Sequence, residues 1–194
     1  MEIGATKAVQ DRLKTTKIEE SKGASLVFCW DTHLTKIKGR NVLFIVNASN
    51  RYTIAMTDIE PRNWNYYTMY IRSVIHGVMQ EMGYSEDQIG QYFKISGDTT
   101  VTKTHGRKSV GGINRMVMDA QYFGKKLEKE AKYQWELSEY LNRDICQPEG
   151  FDANGYPSEL FKLDMERLGI AAKRKPAKII DFTQYIDTNR STNH

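Results

Sequence analysis

The sequence predicts an α+β fold: a mostly antiparallel sheet of about four or five strands packed with helices, followed by a C-terminal helical extension. Three observations carry this expectation. Residues 25–57 hold three short runs rich in apolar and β-branched residues, separated by turn residues. Residues 61–82 and 113–141 carry apolar side chains at spacings of three and four, the mark of helices with one buried face. With 194 residues, 40% of them hydrophobic, the chain can bury one sizeable core.

The elements follow in order. Residues 1–5 read as a short strand, and Val9 and Leu13 then share one face of a short amphipathic helix. A polar loop over 15–23 leads into the first strand of the main sheet. There Leu26, Phe28, Trp30, Thr32 and Leu34 point to one side, and Val27, Cys29, Asp31, His33 and Thr35 to the other. Lys38-Gly39-Arg40 turns the chain. Strand two, Asn41 to Asn47, is apolar on both faces, which predicts a central position. Asn47 to Asn50 turns again into strand three, Arg51 to Thr57.

Pro61 opens a helix that carries Tyr67, Ile71, Val74, Ile75, Val78 and Met82 on one stripe and packs on the sheet from Trp64 onward. Gly83 ends it, and Ser85 with Gln88 has the form of a capping box for a second helix through about Phe93. The threonine-rich stretch Asp98 to His105 predicts another strand, after which Ser109 is placed to cap a new helix. Met116, Ala120, Phe123 and Leu127 predict one long helix from Ile113 to Leu141. A loop over 148–157, a helix over 158–168, a basic linker and the segment IIDFTQYI, read as an edge strand or swapped arm, complete the chain. The expected division is a core domain over 1–145 and an extension over 146–194.

The net charge of +4 is unevenly placed: 15 Lys and Arg oppose 11 Asp and Glu through Val110, against 13 and 13 afterwards. An excess in the first half suits a phosphate backbone or an acidic protein surface. No run approaches the roughly 18 apolar residues of a membrane span, and MEIGATKAVQ lacks the apolar core of a secretory signal, so the expected location is the cytoplasm. Cys29 and Cys146 read as buried reduced thiols, their number and spacing suggesting neither a disulfide framework nor a zinc site.

Thr6-Lys7 with Arg12-Leu13, Phe28 to Trp30, Asn41 to Asn47, Arg51-Tyr52, and Thr102-Lys103-Thr104 with Arg107 form a recognisable series over residues 3–123. It resembles an uncharacterised family found in bacterial chromosomes, plasmids and prophages. That family has His directly after the tryptophan, where this chain has Asp31, its histidine following at His33. A fainter resemblance, resting on size, mobile-element association and the basic first half, is to prophage-encoded inhibitors of type II CRISPR systems. It implies a counter-defence protein of the bacterial host cytoplasm that engages a Cas9–guide RNA complex, or RNA, and no membrane.

The residues themselves offer three constellations. Asp31 and His33 share a strand face roughly 6 to 7 Å apart, from a rise of about 3.3 Å per residue. With His105 or a lysine as second group they fit acid–base cleavage of RNA. Asp31 with Glu81 or Asp98 instead fits a divalent ion such as magnesium, the metal being left open; an ordinary solvated pair on the outer face of the sheet is the plain alternative. Lys36, Lys38 and Arg40 at the hairpin, with Arg51, fit phosphate tracking or defence of a sheet edge. Lys103 to Gly112, with His105, Arg107 and Lys108 at a helix start, fits an anion site without P-loop spacing, or a simple Ser109 cap. The leading expectation is an inhibitor that impairs guide RNA by cleavage. A non-catalytic binder that blocks a nucleic-acid channel, and an enzyme acting on a phosphorylated small molecule, are the alternatives.

Overall fold

The computed structural model describes residues 1–15 and 18–173. Five strands, β1 (Glu2–Ala5), β2 (Cys29–Ile37), β3 (Arg40–Asn47), β4 (Thr53–Thr57) and β5 (Thr100–Thr102), form one sheet in the order β4-β3-β2-β1-β5. The α+β class and the strand number agree with expectation. The sheet is mixed, however, because β2–β3 and β3–β4 pair antiparallel while β1 runs parallel to both β2 and β5. A helical crossover separates β1 from β2, and parallel neighbours need such a connection where a hairpin cannot serve. The β2–β3 hairpin closes on two residues, Lys38 (φ 50) and Gly39 (φ 82), both in the left-handed region that a tight primed turn requires.

Among the described residues, seven helices cover the sheet: α1 (Lys7–Leu13), α2 (Pro61–Asn65), α3 (Tyr67–Glu81), α4 (Glu86–Ser96), α5 (Gly106–Gln121), α6 (Trp135–Asn142) and α7 (Pro157–Arg167). None of the helices among the described residues is long and apolar enough to cross a membrane. On one face, Ile3, Trp30, Leu43, Ile45 and Ile54 pack under α1, α3, α4 and α7. On the other, Val42, Phe44, Val46 and Ala55 pack under α5 and α6. Both faces of β3 are therefore buried, as its unbroken apolar run requires. The α7 residues Phe161 and Met165, with Ile170 after the helix, belong to the first core, so this part of the expected extension packs into the body of the protein. The segment IIDFTQYI lies outside the described residues.

Ser85 and Gln88 form the reciprocal capping box that the sequence predicts, while the long helix expected before Met82 breaks at Tyr66. A larger departure is the expected helix from Ile113 to Leu141. It is two helices joined by an irregular segment over 122–134, even though Phe123 and Leu127 are buried where the apolar spacing placed them. Tertiary hydrogen bonds outweigh helix propensity there. Gln134 is buried and its side-chain amide donates to the carbonyls of Glu128 (2.9 Å) and Ala131 (2.6 Å) while its oxygen accepts from the Glu128 amide (2.8 Å).

The same segment finishes the border of the sheet. Along the outer side of β4, Asn142 bonds both the Thr53 amide (2.7 Å) and its carbonyl (2.8 Å), and the Ser138 hydroxyl accepts from the Ala55 amide (3.0 Å). The Gln134 amide donates to the Ala55 carbonyl, and the Thr57 amide to the Lys132 carbonyl, at 2.9 and 2.8 Å. Main-chain groups that an edge strand leaves unpaired are thus occupied by α6 and the segment before it.

Candidate functional site

Register places the chemistry. Glu2 lies beside Cys29, and Gly4 lies between Asp31 and Thr102, all on the face that α5 covers. Asp31 is fully buried, so the solvated outer face considered for it does not exist. Its carboxylate accepts from the His105 main-chain amide (3.2 and 3.3 Å), from His105 Nδ1 (2.7 Å) and from the Ser109 hydroxyl. Gly4 makes room for it, since a Cβ there would stand 1.8 Å from Asp31 Oδ1 and 3.0 Å from the Thr104 Cα. The helix N-terminus at α5 does face an anion, as the sequence suggests, but the anion is the chain's own Asp31. Ser109 is not the cap. The helix starts at Gly106 after His105, and the serine hydroxyl one turn in reaches down to the acid.

The second ring nitrogen of His105 meets another carboxylate, with Nε2 3.0 Å from Glu2 Oε2. Glu2 also accepts from the Ser21 hydroxyl (2.6 Å) and the Lys22 amide (2.8 Å). Burial alone would lower the His105 pKa, but the hydrogen bond and charge of Asp31, with Cys29 beside the ring, push it up to about 10. The ring is therefore an imidazolium that donates both of its N–H groups. Burial would raise the Glu2 pKa, yet the bonds from Ser21, Lys22 and His105 hold it below the usual carboxylate range. An acid, an imidazolium and a second acid in a row are held by complete hydrogen bonding, which a buried charged group needs if it is to persist.

His33 lies on the same strand face as Asp31 but takes no part in this row. Its Nδ1 is 3.2 Å from the Thr6 hydroxyl, and burial lowers its pKa. Glu81 closes α3 on the opposite face of the sheet, and Asp98 lies in the turn before β5, so neither joins Asp31 as the expected carboxylate partner for a metal.

The cations divide between the two ends of the sheet. At the hairpin end, Lys38 donates to the carbonyls of Phe123 and Lys125, and Arg40 to the Glu128 carbonyl, Thr57 and Asp58. These two side chains hold the 122–134 segment instead of standing free for phosphate. Lys36 is exposed beside them. At the far end, the Arg51 guanidinium donates to the Gly112 carbonyl (2.7 Å) and lies so close that a Cβ on Gly112 would come within 3.0 Å of its Cζ. Lys103 pairs with Glu20, Lys108 donates to the Pro148 carbonyl (3.2 Å), and Arg107 is exposed. Six residues of β2 separate Asp31 from Ile37, about 20 Å at a rise of about 3.3 Å per residue. Asp31 and His105 therefore do not share one patch with the hairpin cations.

Sequence reasoning missed two features. Glu2 gave only a strand signal, because the partner that makes it special lies 103 residues away. The other is an open cleft of about 460 Å³ at the hairpin end, lined by Arg12, Leu34, Arg40, Asn41, Ile59 and Trp64. The Arg12 guanidinium lies 5.5 Å from the centre of the Trp64 ring, and Trp64 stacks on Tyr67 with centroids 5.6 Å apart and planes 4° from parallel. Trp64 was legible as an aromatic at a helix start, but α1, which brings Arg12 to it, carries no such signal.

These features define a class: a mixed sheet between two helical layers, with an acid–imidazolium–acid row buried under one of them. Residues 2–160 match the family described as Domain of unknown function (DUF6933), and the chain belongs to that family. This agrees with the resemblance to an uncharacterised family; the description carries no activity. No curated protein and no solved structure matches the chain.

Proposed function

We propose that this chain is a binding protein that covers the nucleic-acid path of a nucleoprotein, with a Cas9–guide RNA complex as its partner, and that it does so without cleaving RNA. The observation that carries this reading is the cleft at the hairpin end. It brings the Trp64 indole, the exposed Arg12 guanidinium and the Asn41 amide into one recess, a combination suited to a base and its phosphate. In the same helical stretch as Trp64, Tyr66 is 67% exposed. The excess of basic residues before Val110 favours an anionic partner, and the resemblance to CRISPR inhibitors supplies its identity.

Cleavage by Asp31, His33 and His105 has less to support it. A general acid or base must reach the proton it moves, and Asp31 is sealed while both nitrogens of His105 are occupied. The test is binding of labelled guide RNA, free and in complex with Cas9, with magnesium and with a chelator, followed by a denaturing gel. Saturable binding that leaves the RNA at full length and falls about tenfold with Trp64→Ala is expected, since stacking on one base contributes about 1–3 kcal/mol. Shortened RNA, or no association with either form at low salt, would overturn the reading.

A further inference from the structure

Beside the buried row lies a further potential metal ligand, Cys29. Cys29 is fully buried, and its thiol makes long contacts with the carbonyls of Ser25 (3.5 Å) and Ala24 (3.6 Å) and lies beside the His105 ring, to which it hydrogen-bonds. A carboxylate oxygen of Glu2, the Cys29 sulfur and a ring nitrogen of His105 all lie within 4.8 Å of one another. We infer that Glu2, Cys29 and His105 form a zinc site that ties together β1, β2 and the turn between β5 and α5.

Four points of geometry and chemistry converge on that assignment. Thiolate, imidazole and carboxylate are the three ligand types zinc takes, and a sulfur ligand selects against magnesium or calcium. The 3.0 Å between His105 Nε2 and Glu2 Oε2 is near the roughly 3.3 Å edge of a tetrahedron with bonds of about 2.0 Å. Asp31 holds the ring from behind. Its carboxylate accepts from Nδ1 at 2.7 Å, which turns Nε2 toward Glu2 and Cys29 as the acid behind a metal-bound histidine does. Finally, the segment that bonds Glu2 lies at the surface: Ser21 and Lys22, which donate to its carboxylate, are both exposed.

The exchange balances. Zn²⁺ enters as two protons leave to solvent, one from the Cys29 thiol and one from His105 Nε2, so the charge buried in the cluster is unchanged. The Ser21 hydroxyl or a water takes the fourth position. Asp31 is a positioning residue in this arrangement and does not touch the metal. Cys29, an ordinary buried thiol when read from sequence, becomes the ligand that decides the metal.

The test uses the full chain, stripped with a chelator and then titrated with Co²⁺ and with Zn²⁺. Expected are one equivalent of metal per chain, a thiolate-to-cobalt charge-transfer band in the near ultraviolet that zinc abolishes, and a rise in melting temperature with zinc. Cys29→Ala should lose the band and bind at least tenfold more weakly, whereas Cys146→Ala should keep both. X-ray absorption of the wild-type zinc complex guards against a variant that fails to fold: one sulfur at about 2.3 Å with nitrogen or oxygen at about 2.0 Å is required. A zinc shell without sulfur, the absence of stoichiometric metal, or binding undiminished in Cys29→Ala would each overturn the site.

Discussion

At the Asp31 end of β2 an imidazolium lies between two acids with water excluded, whereas at the Ile37 end arginines and lysines lie along main-chain carbonyls and an open recess. Charge thus serves the two ends differently. Where every ionic group has a partner and none reaches solvent, charge fixes how three strands and a helix meet; where the exposed Arg12 guanidinium lies over a half-buried indole, it remains available to another molecule. The first arrangement makes function there depend on what can replace a proton, and the second on what can stack.

The sharpest way to break this contrast is Asp31→Ala. It strands the His105 ring, the His105 main-chain amide and the Ser109 hydroxyl together, so a loss of about 3–5 kcal/mol in denaturant unfolding is expected, with little effect on RNA affinity per folded molecule. A loss under about 1 kcal/mol would mean that the row is not the anchor described. Gly4→Ala attacks the same point by volume alone. With a Cβ at 1.8 Å from Asp31 Oδ1, the carboxylate must leave its partners, and about 3 kcal/mol should be lost, measured in the same way.

At the other end the effects should move to binding. Arg12→Ala removes a cation from the recess, and the slope of log affinity against log salt should fall by about one, while the unfolding midpoint hardly changes. Were the slope unchanged, the recess would not be the phosphate contact.

The smallest effect sharpens the comparison from a third buried acid. Asp164 accepts from Asn50 (2.9 Å), bonds Ser49 and pairs with an exposed arginine, Arg167, and burial raises its pKa despite those bonds. The folded state therefore holds this proton more tightly than the unfolded one. Its contribution to stability is complete below the ordinary Asp value of 3.8 and is lost as pH rises through the elevated folded value. Unfolding curves of the wild type and Asp164→Asn, compared across that acidic window, should differ in slope in this sense; equal slopes would remove the claim.

Much of the architecture could be read from period and punctuation. The alternation in β2, the doubly apolar β3 and the Ser85–Gln88 box are local signals, and local hydrogen bonds and burial satisfy them. What escaped was decided by distant partners. The 122–134 segment has the composition of a helix but is held open by Gln134, Lys38 and Arg40, and β1 looks like any short strand until β2 and β5 flank it on either side. Of the candidate site, Asp31 and His105 were nameable from sequence and do meet. His33 was drawn in by spacing alone, and Glu2 could not be found without the fold.

The finished border along β4 has a consequence for how this molecule can meet others. With the amides of Thr53, Ala55 and Thr57 already engaged by residues 132–142, an incoming peptide finds no ladder to extend there. Recognition on that side must rely on side chains, and crowded solutions should resist the edge-to-edge stacking that seeds fibrils.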